Sequence, residues 1–287
     1  MRVSALQLAI DESAQGFERH ADFEACIRSH YAMLLVPYSK RPFFYKSALQ
    51  LNRLMVSFTL LSEYFSKPAP LLSEVKAFCA ARGFCSKNSL ESLFLVFRAL
   101  GFMGVKGHPD DSRFRVFSPS PLACQEVRLM LASVLEPLAL MCAEKAIFQQ
   151  MPELDDRSVL ECYFKGFAIV LQRQLTIDVA VPECDWLVKR DAGHLLMLAI
   201  YIDACVPNTN GESFRVSSYL SLARQLSVSK THIIRLVQEG ASRGYFKVHS
   251  KTVLEVLPPF VSLVRRFMAY WFAISLQCIE LGQGERR

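Results

Sequence analysis

The feature that most constrains this chain is a repeat of half its own length. Ser86-Lys87 recurs as Ser229-Lys230, 143 positions later in a chain of 287 residues. At the same spacing Ala80 meets Ala223, Leu93 meets Leu236, and Gly101-Phe102 meets Gly244-Tyr245. Leu54 and Val56 fall on Met197 and Ala199, so the register reads without a gap over residues 54–102. Beyond the glycines the second copy runs four residues shorter, and Val116-Phe117-Ser118-Pro119 meets Glu255-Val256-Leu257-Pro258. A fixed period of this size means two copies of one supersecondary unit. The expected domains are therefore the two halves, 1–143 and 144–287.

Each copy reads as the same string of elements. A helix at 47–66, or 190–205, leads into a polar turn, Lys67-Pro68-Ala69-Pro70 or residues 207–211. A short helix follows at 72–82 or 217–226. Ser86 and Ser229 then stand where a hydroxyl can cap the next helix. That helix keeps apolar residues at 90, 93, 94 and 97 in one copy and at 233, 236 and 237 in the other, the spacing of one buried face. Gly101 and Gly244 stop these helices where a residue without Cβ can take a positive φ. Short alternating runs with a polar tip predict a hairpin in each copy. Apolar helices at 121–149 and 260–281 close them. The predicted fold is mainly α with small β-hairpin wings.

Helix, tight turn, helix and hairpin is the order of a winged helix-turn-helix. Ser229-Lys230-Thr231-His232-Ile233-Ile234-Arg235-Leu236-Val237 resembles the opening of the recognition helix in the MarR family of winged-helix regulators. Arg243-Gly244-Tyr245-Phe246 resembles that family's step into the wing, and Asp111-Ser112-Arg113 is similar to its Asp-x-Arg wing motif. The resemblance spans 70–120 and 213–258. It implies a transcription regulator on double-stranded DNA, with Arg113 entering the minor groove and Asp111 steadying it. Family members are dimers. One chain here would supply both halves, as tandem winged domains forming a pseudo-dimer that acts as a monomer or pairs again as a homodimer.

The copies have diverged. Arg235 has Ser92 as its partner in the first copy, where Glu91 and Leu95 also replace the expected polar or basic residues. The second wing is cut short and lacks Asp-x-Arg, and Gly240 weakens its helix by about 1 kcal/mol relative to alanine. Between Val228 and Lys251, Lys230, Arg235, Arg243, Lys247 and Lys251 stand against Glu239 alone. Cations of both copies (Lys87, Arg113, Arg115, Lys230, Arg235, Lys247 and Lys251) are expected on phosphates. Asn88, Ser89, Thr231, His232 and Gln238 are expected within reach of base edges, and Ser92 is expected on DNA as the weaker counterpart of Arg235.

Other chemistry is not indicated. There is no GxSxG, P-loop or HExxH, and no enzyme is expected. The nine cysteines form no CxxC pair, so no metal, no cofactor and a reduced, cytoplasmic setting are expected. Met1–Ile10 has no secretory apolar core, and the apolar run 267–278 is too short to span a bilayer. The stretch Lys40-Arg41-Pro42-Phe43-Phe44-Tyr45-Lys46 reads as a linker whose aromatics dock on helices. In the resembled family small apolar effectors bind beside the terminal helices. Met130, Met141, Met268, Trp271 and Phe272 supply such a lining here, so a small apolar effector is expected. Two other readings remain open. Plasmid-type replication initiators also carry two winged domains in one chain. Alternatively, the chain is a protein-interaction module whose winged domains have lost DNA.

Overall fold

The computed structural model describes residues 4–111, 113–205, 218–249 and 254–284. In chain order the elements are α1 (Ala5–Arg19), α2 (Phe23–Lys40), α3 (Pro42–Ala48), α4 (Leu51–Ser66), α5 (Leu72–Ala81), α6 (Lys87–Ala99), β1 (Met103–Gly107), β2 (Arg115–Pro119) and α7 (Pro121–Met141). They continue with α8 (Ala146–Gln150), α9 (Asp156–Gln172), α10 (Ile177–Ala180), α11 (Asp185–Val188), α12 (Gly193–Ala204), α13 (Tyr219–Gln225), α14 (Lys230–Ser242), β3 (Phe246–Val248), β4 (Leu254–Val256) and α15 (Pro258–Gly284). Among the described residues the chain is mainly helical, with two antiparallel two-stranded sheets. Among the described residues, no helix is long and apolar enough to cross a membrane. The expected turn 207–211 lies outside the described residues.

The repeat is visible in the caps. Ser86 Oγ accepts from Ser89 N at 3.3 Å, and Ser229 Oγ accepts from His232 N at 3.1 Å. Each capped helix ends on a left-handed glycine, Gly101 with φ 73° and Gly244 with φ 79°. The amide that follows closes the turn in both copies: Phe102 donates to Phe97 and Tyr245 donates to Gly240. Met103↔Pro119 through Gly107↔Arg115 pair in the first hairpin, and Phe246↔Val256 through Val248↔Leu254 in the second. Leu71 adds a bridge to Val116 on the outer side of β2.

The ungapped register expected over 54–102 breaks in the turn before these helices. Its left-handed residue is Gly83 in one copy and Ser227, with φ 48°, in the other. The first turn therefore holds one more residue, and that turn carries Phe84, which is buried. The closing helix expected at 121–149 also divides: Cys142 leaves helical geometry with φ −131° and ψ 31°, and α8 follows separately.

Two compact units interleave along the sequence. One comprises Met1–Ile10, Asn52–Thr176 and Phe272–Arg287, and the other comprises Asp11–Leu51 and Ile177–Trp271. The expected halves 1–143 and 144–287 are not these packing units, although each unit holds one complete helix–helix–hairpin block. The physical reason lies in the aromatic faces. In the first unit Tyr163, Phe164 and Phe167 of α9 surround Phe58 of α4, with ring centroids 5.2 to 6.2 Å apart. Residues 272–284 of α15 also pack there, with Cys162 Sγ donating to the Ile279 carbonyl at 3.3 Å. In the second unit α12 is apolar all round and buried from Gly193 to Tyr201, which requires neighbours on every side. His194 of α12 stacks edge-on to Phe267 and Trp271 and meets the His30 ring nitrogen at 3.1 Å.

The Lys40–Lys46 stretch is a corner between α2 and α3. Tyr45 docks into the core as expected, while Phe43 stays exposed with the Lys46 ammonium 4.6 Å above its ring.

Candidate nucleic-acid interface

The outward face of α14 follows from its period. Ile233, Leu236, Val237 and Gly240 are buried, and Lys230, Thr231, Arg235 and Gln238 emerge on the opposite side. All four are exposed, and among the described residues none of their side chains makes a hydrogen bond or ion pair. Two cations, a hydroxyl and an amide on one helix face match the donors and acceptors of phosphates and base edges. His232 sits differently. Its ring is half-buried, and Nε2 lies 3.0 Å from the Asp191 carbonyl, so it ties α14 to the segment before α12. Gly240 is a packing requirement, because a Cβ there would lie 2.5 Å from Phe246 Cδ2 and 2.9 Å from Trp186 Cη2.

The second hairpin carries less free charge than its sequence suggests. Lys247 is 3.6 Å from Glu255, and His249 Nε2 lies 2.6 Å from the other carboxylate oxygen. The His249 hydrogen bond, with Lys247 nearby, holds the Glu255 carboxyl below its usual range. Arg243 pairs with Glu239 at 2.9 Å and stacks over Trp186. Lys251 lies outside the described residues.

In the first unit the positions equivalent to the α14 face are Lys87, Asn88, Glu91, Ser92 and Leu95. Lys87, Asn88 and Ser89 are exposed at the start of α6, and Ser89 is engaged in the Ser86 cap. Ser92 Oγ donates back to the Asn88 carbonyl at 3.0 Å. Glu91 accepts from Lys76 at 2.5 Å. The hairpin holds a preset cation. Arg113 Nη2 donates to Asp111 at 2.6 Å and its Nε spans both carboxylate oxygens at 3.0 and 3.1 Å, while 84% of the side chain stays exposed. This contact lowers the Asp111 carboxyl and raises the Arg113 guanidinium. Arg115 is exposed at the start of β2.

Arg98 was not singled out from the sequence, yet it lines the same groove as Arg115. Its place was legible, since Glu91, Leu95 and Arg98 are spaced for one helix face. No protein-family model, no curated protein and no solved structure matches the chain.

Proposed function

We propose that the chain is a double-stranded DNA-binding transcription regulator built from two winged helix-turn-helix units, with α14 as the recognition helix. The observation that carries this reading is the α14 face, where Lys230, Thr231, Arg235 and Gln238 stand exposed and unengaged over a buried apolar stripe. The first unit contributes its wing, where Asp111 holds Arg113 at the surface as a cation of the kind a narrow, negative minor groove attracts. The pairing of the copies is then a division of labour: base reading from the second unit and wing contact from the first.

Fluorescence anisotropy of labelled duplex across a salt series tests this. Affinity should fall with salt, and Arg235→Ala or Lys230→Ala should each flatten the log–log slope by about 0.9. Ser92→Ala should leave affinity unchanged, because its hydroxyl is turned onto its own helix. A salt-independent signal, or equal losses from Arg235→Ala and Ser92→Ala, would sink the reading.

A further inference from the structure

The equivalent face of the first unit has a different character. α6, α5 and the hairpin enclose a groove of about 580 Å³ whose lining includes Leu72, Glu91, Leu95, Arg98 and Arg115. Its floor is apolar, with Leu72 and Phe94 buried. Leu95, also in the lining, carries the apolar surface outward at 65% exposure. Lys76 is engaged by Glu91, but Arg98 and Arg115 are exposed and have no carboxylate partner among the described residues.

We infer that this groove docks an acidic amphipathic segment of a partner protein, its apolar side chains on Leu72, Phe94 and Leu95 and its carboxylates on Arg98 and Arg115. Charge complementarity selects the occupant. Two unpaired guanidinium groups beside an apolar trough fit carboxylates flanking apolar anchors, the pattern of helix-in-groove recognition. Duplex DNA fits worse. Leu95 occupies the position where α14 has Gln238, so the centre of the face offers an apolar side chain where a base edge needs a donor or acceptor. A small molecule also fits worse, because Glu91, Leu95, Arg98 and Arg115 are all exposed and the groove cannot bury most of a small ligand. The inference does not rest on DNA binding by α14.

The test uses the full chain and a fluorescent amphipathic peptide with leucines at helical i, i+3, i+4 and i+7 spacing and glutamates on the flanks. A second peptide carries lysines in place of the glutamates. The wild-type chain should bind the glutamate peptide saturably, and the Arg98→Glu, Arg115→Glu chain should bind it about tenfold more weakly or worse. The reversed chain should in turn bind the lysine peptide better than the wild type does, a gain that a misfolded variant would not show. Leu95→Ser should weaken the glutamate peptide in both backgrounds. No binding of the glutamate peptide, equal binding by both chains, or equal binding of both peptides by the wild type overturns the inference. Loss of duplex affinity in the reversed chain with no peptide affinity assigns the face to nucleic acid instead.

Discussion

Replacing Gly166 by alanine asks whether α9 and the last part of α15 meet backbone to backbone. In a helix interior alanine normally outperforms glycine by about 0.8–1.0 kcal/mol. At position 166 the sign reverses. A Cβ there would overlap the Cys278 carbonyl oxygen and lie 2.9 Å from the Cys278 Cα, where ordinary contact begins at 3.4 Å. The obstacle is helical main chain, so no side-chain rotamer relieves it. Gly282 stands in the reciprocal position, where a Cβ would lie 3.1 Å from the Cys162 Cα. The helices must therefore separate, which is overpacking at a cost of about 1–3 kcal/mol, and rigid backbone on both sides places it near the upper end. After the propensity gain is subtracted, Gly166→Ala should destabilise by about 2 kcal/mol. Gly16 supplies the control, since it lies exposed in α1 with nothing within 4 Å of its would-be Cβ. Gly16→Ala should stabilise by nearly 1 kcal/mol, so the two variants should differ by about 3 kcal/mol. Urea unfolding followed by far-ultraviolet circular dichroism should move their midpoints in opposite directions. Equal shifts, or a more stable Gly166→Ala chain, refute the close crossing.

Three further outcomes follow. Ser229→Ala removes the cap of α14 and should cost about 1 kcal/mol, whereas Ser229→Asp should keep most of the stability; equal losses in urea melts would discount the cap. Burial, together with the His30 ring beside it, holds His194 well below its ordinary 6.5. Because the folded value is depressed, its contribution is fully present above about pH 6.5. It falls as acid charges the unfolded chain first, by up to about 1.4 kcal/mol per pH unit. His194→Phe should flatten that dependence between about pH 7 and 5, and a wild type and variant that lose stability in parallel would exclude His194 as its source. Arg113→Ala should weaken duplex binding without changing the thermal melt, since the Arg113–Asp111 pair lies at the surface; an unchanged duplex affinity would remove the wing from the interface.

Much of the local structure was legible in the residues. Ser86 and Ser229 cap the helices assigned to them, Gly101 and Gly244 take the left-handed turn, and both hairpins form where alternation and a polar tip placed them. The contact of Asp111 with Arg113 was implied by the resemblance to the Asp-x-Arg wing motif, and the structure joins the two side chains. These features act across one turn of chain, so neighbouring residues suffice to encode them.

Packing decided the rest. Gly240 looked like a weakness of α14 until Phe246 and Trp186 were found against it. His232 looked free to reach outward, but the Asp191 carbonyl holds its ring. The halves 1–143 and 144–287 looked like domains, yet α9 packs beside residues 272–284 and α2 lies with α12. The sequence by itself determined the caps and the order of elements within each repeated block, because caps, turns and hairpins depend on contacts a few residues apart. Only the tertiary structure decided which aromatic faces meet, which glycines are closed off and which side of α6 remains apolar and exposed. Those outcomes depend on surfaces brought together from more than a hundred residues away, such as Cys162 with Ile279.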